Sequence, residues 1–232
     1  MSQAESEFAD LEEMSQGRLV LCTSDTTGCY RLPDMLRQYS ERYPGIDIVV
    51  RNATSPRTIQ AVHENEVDLG IVTLASLRPG LQSIPIFPRH DVLICHPDHE
   101  LATSRRVRLK DLETRPMILL DQICSSRRII DEFSEQAGTE LTITMELSSI
   151  EVIKRFVRID AGLSIVPEIA VKEEVSAGVL ATVEIAEIGE RPEHMVGVIY
   201  REGRYLTKAA RGFMQALRSY VAAETSVPEK PG

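Results

Sequence analysis

The chain has 232 residues, 43% of them hydrophobic and 26% charged, with a formal net charge of −9. That length holds one large domain or two small ones, and the acidity excludes a grip on nucleic acid by these residues alone, which needs concentrated positive charge. No apolar run approaches the roughly 20 residues of a membrane span, and the acidic start, Met1 to Gln16, lacks the basic-then-apolar order of a secretory signal, so the expected location is the cytoplasm.

Residues 3–16 read as the end of a helix, with Phe8, Leu11 and Met14 on one stripe, acidic side chains around them and Gly17 as its stop. Residues 18–23 form an apolar strand. The helix after it places Leu32, Met35, Leu36, Tyr39 and Tyr43 on one face, tolerates Pro33 in its first turn and stops at Pro44-Gly45. Residues 46–51 alternate as a strand. Thr54-Ser55-Pro56 reads as a helix start, a hydroxyl cap followed by proline at the first helical position. Ile59 and Val62 of that helix face inward. Val67 to Val72 is a buried strand ending at Thr73. Strand, helix, strand, helix, strand predicts a parallel sheet.

Pro79 to Pro88 is a proline-punctuated crossing in which Ile84 and Ile86 alternate, and Asp91 to Cys95 is a strand. Pro97-Asp98 turns the chain, and Leu109 to Leu112 is a short helical turn. Met117 to Leu120 is a strand; the helix after it carries Ile129, Ile130 and Phe133, and Gly138 closes it. A strand follows at 141–146. Ser148-Ser149-Ile150-Glu151 predicts a helix start with a capping box from Ser148 to Glu151, and the helix buries Ile150, Ile153, Phe156 and Val157. Gly162 to Pro167 is a strand running straight into a helix that Gly178 closes. Strands at 182–187 and 195–200 precede a last helix from near Thr207, which buries Ala210, Phe213, Met214, Leu217 and Val221.

One pattern occurs twice. Leu19-Val20-Leu21-Cys22 runs into Ser24-Asp25-Thr26-Thr27, and Met117-Ile118-Leu119-Leu120 runs into Cys124-Ser125-Ser126. Each is a strand entering a helix through small hydroxyl residues, where backbone N–H groups cradle a small anion. The apolar rhythm resets near Pro88 and again at Gly189 to Pro192. The expected division is therefore a first lobe of residues 18–88 plus 193–222 and a second lobe of 89–192, with residues 1–17 ahead of them and a flexible tail at 223–232. The four cysteines, Cys22, Cys29, Cys95 and Cys124, form no CxxC and suggest no disulfide framework.

Several stretches carry a resemblance to one family: Gly17-Arg18-Leu19 opening the first strand; Leu32-Pro33 and Tyr43-Pro44 bracketing the first helix; Val67-Asp68-Leu69-Gly70-Ile71; His96-Pro97-Asp98-His99-Glu100-Leu101-Ala102; and Asp160-Ala161-Gly162-Leu163-Ser164-Ile165-Val166-Pro167. In this order and spacing they resemble the effector-binding domain of LysR-type transcriptional regulators, over about residues 8–222. The resemblance implies an α/β fold of two Rossmann-like lobes joined by a two-strand hinge, like a type 2 periplasmic binding protein, with a small-molecule effector in the cleft between lobes. It also implies head-to-tail homodimers or homotetramers. A winged helix-turn-helix N-terminal to these residues would contact DNA, residues 3–16 being the remnant of the linker helix. Transferred by motif position, the effector contacts are Ser24, Asp25, Thr26, Thr54, Ser55, Thr73, Ser125 and Ser126, with Ser148 and Pro167 deeper in the cleft. The competing reading is that these hydroxyls only cap helices. Asp25 is at odds with an acidic effector unless it points outward or selects an amine or hydroxyl. Leu32, Met35, Leu36 and Tyr39, with Ile129, Ile130 and Phe133, are the candidate dimer faces; the core could equally consume both stripes.

The preferred function is thus a non-enzymatic sensor of a small anionic metabolite, with no cofactor, metal or membrane. Three alternatives stay open. Cys124 sits where peroxide-sensing members of the family place a reactive thiol, and a helix start with Arg127 and Arg128 nearby favours a thiolate, but no resolving cysteine follows it. A free solute-binding protein would share the fold. An enzyme would have to use Asp25 or Cys124, neither with an evident partner. His96 and His99 lack a third metal ligand, and His63, His90 and His194 are isolated. Arg105, Arg106, Arg108 and Lys110 read as a solvated face. Phosphate-loop, zinc-protease and nucleophile-elbow motifs are absent from the sequence.

Overall fold

The computed structural model describes residues 16–74, 77–189 and 194–225. Apart from Gln16, the helix expected over 3–16 lies outside these residues, as does the tail beyond 225. The chain forms two compact units, one running to Phe87 and resuming at Val196, the other Pro88–Met195.

The first unit contains β1 (Gly17–Thr23), α1 (Asp25–Tyr30), α2 (Leu32–Arg42), β2 (Ile46–Asn52), α3 (Ser55–His63), β3 (Leu69–Thr73), β4 (Leu81–Pro88), β11 (Met195–Arg201) and α8 (Lys208–Thr225). Its sheet runs β2-β1-β3-β11-β4. As the alternation of strands and helices requires, β1 is parallel to both β2 and β3, while β11 returns antiparallel to β3. Side chains alternate across a strand, so the sheet feeds two cores. Leu19, Leu21, Leu69, Ile71 and Val198 pack with Leu32, Met35 and Tyr39 of α2 and with Ala210, Phe213 and Leu217 of α8. Cys22, Val72 and Ile199 pack with Ala61 and Val62 of α3 on the other side.

Two departures from the sequence reading have local causes. The single helix expected after β1 is two, broken at Arg31, whose backbone sits at φ −127° and ψ −45°. Pro33 has no N–H to give the Cys29 carbonyl, and its ring crowds that carbonyl. The strand expected from Val67 begins at Leu69. Asp68 meets Val20 twice, its N–H donating to the Val20 carbonyl at 2.9 Å and its side chain accepting from the Val20 N–H at 2.9 Å, while the same carboxylate accepts from Arg204 at 3.0 Å.

The second unit contains β5 (Asp91–Cys95), β6 (Arg106–Val107), β7 (Met117–Leu120), α4 (Ser125–Ala137), β8 (Ile143–Leu147), α5 (Ile150–Arg158), β9 (Ser164–Pro167), α6 (Lys172–Ser176), β10 (Ala181–Ile185) and α7 (Ala186–Gly189). β7 is parallel to β8 and touches the chain entering β9 through a parallel bridge, Met117 to Leu163. β5 lies antiparallel to β9 on one side and to β10 on the other. β8, β7 and β9 therefore repeat the arrangement of β2, β1 and β3, each triplet followed by one antiparallel strand. At the start of this unit the Arg89 guanidinium grips the Asp91 carboxylate with two bonds of 2.7 and 2.8 Å, and the Arg89 N–H donates to the His194 carbonyl at 2.7 Å.

Here too the structure corrects details. Ser149, not Ser148, is the residue before α5, and no side-chain cap forms there. Glu151, expected to complete a capping box, pairs with Lys154 at 2.7 Å. Lys154 takes an inward position while Phe156 is half-buried; the lysine can be buried because its ammonium also meets Glu174 at 2.6 Å and donates to the Ala170 carbonyl at 2.9 Å. The strand expected over 182–187 stops at Ile185, where α7 begins. A 3-10 turn, Glu168–Ala170, separates β9 from α6.

Two stability predictions follow from packing. A Cβ at Gly197 would lie 2.5 Å from Leu74 Cδ1 and 2.8 Å from the Ile84 carbonyl oxygen. The latter is sheet backbone and cannot retreat, so Gly197→Ala should lower the unfolding free energy by about 1–3 kcal/mol in urea titrations. Burial, with Asp160 adding to it, pushes the Cys95 thiol from 9.0 to about 11. A raised thiol favours the neutral form in the fold, so its contribution is complete below pH 9 and is lost as pH climbs from 9 through 11. The urea midpoint should fall across that window, and fall less in Cys95→Ala.

Candidate functional site

In the first unit β1 connects to β2 on one side of it, and β2 then crosses back over to β3 on the other. Such a reversal leaves an opening at the carboxyl ends of the strands, where ligands of open α/β sheets bind. Thr23, Asn52 and Thr73 end the three strands, with Thr23 in register with Asn52 and Ile71. Thr23 is fully buried and donates to the Ile71 carbonyl at 3.2 Å; below it the Thr58 hydroxyl and Cys22 thiol meet at 3.2 Å. α3 starts at this end. Thr54, half-buried, is its N-cap, yet its side chain makes no cap bond. Ser55 is buried in the first turn, and Thr73 is buried at the end of β3. Ser24, half-buried, precedes α1, again without a side-chain cap. Thr26 is half-buried. Asp25 is exposed and turned toward β2, its Oδ1 accepting from Asn52 Nδ2 at 3.4 Å and from the Cys29 thiol at 3.8 Å.

The second unit repeats the reversal with β8, β7 and β9. Ser125 and Ser126, both half-buried, open α4; Pro167 is buried at the end of β9; Ser148 is exposed, just beyond β8. Cys124 is the α4 N-cap, and its thiol donates to Asp121 Oδ1 at 3.4 Å. Asp121 also accepts from the Ile123 N–H at 3.2 Å. Arg127, which the sequence placed near the thiol, has partners of its own. Its side chain is buried and donates to the Leu120 carbonyl at 3.0 Å, to Asp131 at 2.8 Å and to Glu146. Burial pulls its pKa down, but the bonds from Asp131 and Glu146 outweigh that and hold it above the ordinary range. Asp121 was missed by sequence reasoning. A signal for it existed: an aspartate two residues ahead of the N–H it accepts, directly after a strand, is an Asx turn.

The stripes expected as dimer faces are spent inside the units. Leu32, Met35 and Tyr39 lie in the first core, with Leu36 half-buried against it; Ile129, Ile130 and Phe133 lie in the second. A 3.6-residue stripe marks the buried face of a helix without saying which surface buries it. His96 and His99 serve their own turn, accepting from the Asp98 and Leu101 N–H groups, each at 3.1 Å. An apolar hollow between β4 and α8, lined by Ile84, Ile86, Val198, Met214, Leu217 and Val221, shares no residue with either set of hydroxyls.

Known proteins give the arrangement its context. A family model, the LysR substrate binding domain, matches residues 12–222. A probable RuBisCO transcriptional regulator of Synechocystis is 31% identical over 212 residues, which cover 89% of this chain and 61% of that protein. The chain thus spans about three fifths of the length of that relative. The regulatory domain of CcmR from Synechocystis, solved in complex with 2-PG, superposes with a TM-score of 0.81 at 23% identity, covering 89% of this chain and 98% of that one. The effector binding domain of QuiR, in complex with shikimate, gives 0.79 at 17% identity, covering 90% and 99%. The fold is that of LysR effector-binding domains, and the chain belongs to the LysR family of transcriptional regulators, spanning its substrate-binding domain.

Proposed function

We propose that this domain senses a small anionic metabolite at the carboxyl ends of its parallel strands and relays its presence through a homodimer or homotetramer. In a full-length cytoplasmic regulator, DNA would be met by a segment outside these 232 residues. The contacts assigned to the effector are Ser24, Thr26, Thr54, Ser55 and Thr73 in the first unit and Ser125, Ser126, Ser148 and Pro167 in the second.

One observation carries this reading. The helix starts at the strand ends are preceded by Ser24, Thr54, Cys124 and Ser149, and at none of the four does the side chain cap the helix. A serine or threonine at that position ordinarily accepts an N–H of the first turn. The expectation that these hydroxyls only cap helices therefore loses its main support. Helix N–H groups that take no side-chain cap are met by water or by a ligand, and they favour an anion. Residues small enough to let a ligand approach, but not bonded to the helix they introduce, suit that role.

Switching needs more than binding. The effector must favour one arrangement of the regulator over another, and a tenfold preference corresponds to about 1.4 kcal/mol. The two candidates for chemistry, Asp25 and Cys124, are each bonded to neighbours in their own unit, Asp25 to Asn52 and Cys29, Cys124 to Asp121. That favours a binding module over an enzyme. The Cys124 thiol donates to a carboxylate, which favours the effector reading over a peroxide sensor.

Native mass spectrometry of the purified chain, beside a denatured spectrum, should show an even-numbered oligomer carrying a small non-covalent mass; a bare monomer would count against the proposal. With inorganic sulfate as the anion probe, Ser55→Ala should weaken binding roughly tenfold, the loss of one bond to a charged group, while leaving the urea midpoint nearly unchanged. Equal sulfate affinity in the two proteins would remove Ser55 from the site.

A further inference from the structure

The hollow between β4 and α8 belongs to neither set of hydroxyls, and its lining gives it a chemistry of its own. β4 is the end strand of the first sheet, and the second half of α8 stands beside it. The floor is fixed by the fold: Ile86, Val198 and Leu217 are buried members of the first core, and Met214 and Val221 pack against that core. The hollow encloses about 210 Å³. Apolar side chains around such a space hold water poorly and gain dispersion contacts from an apolar guest. A protein cavity of about 150 Å³ lined by aliphatic and aromatic side chains takes up benzene, so this one has room for about six carbon atoms.

The mouth of the hollow carries one charge. Pro85, Arg218 and Ala222 are the exposed members of the lining, and no lining residue is acidic. Arg218 forms no ion pair among the described residues. An arginine lays its stem along apolar surface and keeps its guanidinium at the water boundary, where its planar fork suits a carboxylate. The chain has a net charge of −9, so an anion would be drawn here by Arg218 and not by the overall field. A strand of another chain is a poor occupant, because Pro85 and Pro88 remove N–H donors from β4. An interface between proteins also needs about 800 Å² from each partner, far more than a hollow of this size offers.

We propose that this hollow is a further ligand site, for a small aliphatic acid. A hydrocarbon body of about six carbons lies between β4 and α8, and its single carboxylate meets Arg218. Met214, unbranched and adaptable, shapes the wall to the guest. The site is contained in one unit and takes nothing from the strand ends, so it goes beyond the effector reading above and does not rest on it. A guest there spans the last helix and the sheet edge, and it stabilises the first unit because it binds the folded form alone.

Methyl shifts of the isotope-labelled chain, titrated with hexanoate, test this. The methyls of Ile86, Val198, Met214, Leu217 and Val221 should move together and saturate, while those of Val50 and Ile143, exposed elsewhere, stay still. Hexylammonium, the same chain with the opposite charge, should bind roughly threefold or more weakly, the modest preference that an exposed charge pair gives. In Arg218→Glu, a change at an exposed position, the order of the two probes should reverse. Met214→Trp should fill the hollow and abolish binding of both. Silence of the five methyls would overturn the site, and equal affinity for the two probes, or an unchanged order in Arg218→Glu, would overturn the acid. Loss of hexanoate binding in Ser55→Ala would move the acid to the strand ends and overturn the hollow as its seat. Shifts of the same methyls without probe, on dilution or on deletion of residues 226–232, would show the hollow covered by a second copy or by the chain's own end, and would equally overturn it.

Discussion

The constraint on which the rest depends is that the middle strand of each parallel triplet comes first in the chain. β1 lies between β2 and β3, and β7 lies between β8 and the chain entering β9. A chain that places its first strand in the middle must step outward on one side and then cross back to the other. Right-handed crossovers put the two following helices on opposite faces of the sheet, so the helix starts diverge around the end of the middle strand. An opening forms there that no side chain needs to prop apart. The hydroxyl-rich residues stand at that opening because strands β1 and β7 end there, not because they cluster in sequence.

Such an opening has to be carried by cores that do not depend on what fills it. In the first unit the return of the chain, β11 and α8, supplies this. The Tyr39 hydroxyl of α2 donates to the Ala209 carbonyl of α8 at 2.9 Å across 170 residues, and the Phe213 ring meets Tyr39 edge-on at 5.5 Å. Burial raises the Tyr39 phenol far above its ordinary range, so it acts as a neutral donor. The first unit is therefore complete only when the last helix has docked, whereas the second is built from one continuous stretch. In that unit buried cations do comparable work: Lys154 ties α5 to the turn before α6, and Arg127 ties α4 to the ends of β7 and β8. Removing one partner of such a pair costs more than the pair contributes, because the remaining charge stays buried.

Most of the fold was legible because periodicity reports burial. β1, β5, β7 and α3 lie where alternation, an apolar run or a hydroxyl-proline start placed them. What escaped the sequence was decided by partners far along the chain. Asp68 could not be seen to take the Val20 N–H on its side chain ahead of β3 without Arg204 and Val20 beside it. Lys154 reads as a solvent residue until Glu174 and the Ala170 carbonyl are beside it. The helix stripes of α2 and α4 read equally well as core or as interface, and only the packing of α8 and of the strands decided for the core. At the candidate site the positions of the hydroxyls were legible, but their bonding was not: Ser148 seemed to cap α5, Ser149 stands in that place, and neither caps.

The same distinction explains why the chemistry of the site is harder to read than its place. A helix start is an anion seat only while nothing within the protein has taken it, and composition cannot say which starts are taken. Ser24, Thr54, Cys124 and Ser149 look interchangeable as a list of small polar residues. In three dimensions the start of α1 has an exposed aspartate drawn to β2, the start of α3 has none, and α4 has Asp121 folded back before it. Each of these carboxylates is satisfied by neighbours within hydrogen-bond reach, so their effect on a ligand is one of long-range charge rather than of blocked contact. At effective dielectric constants near 20, a unit charge about 4 Å away is worth roughly 4 kcal/mol, more than any single neutral hydrogen bond contributes. The number of hydroxyls can be counted in the sequence, whereas the charge beside each helix start depends on local folding such as the Asp121 turn and the Asp25–Asn52 contact.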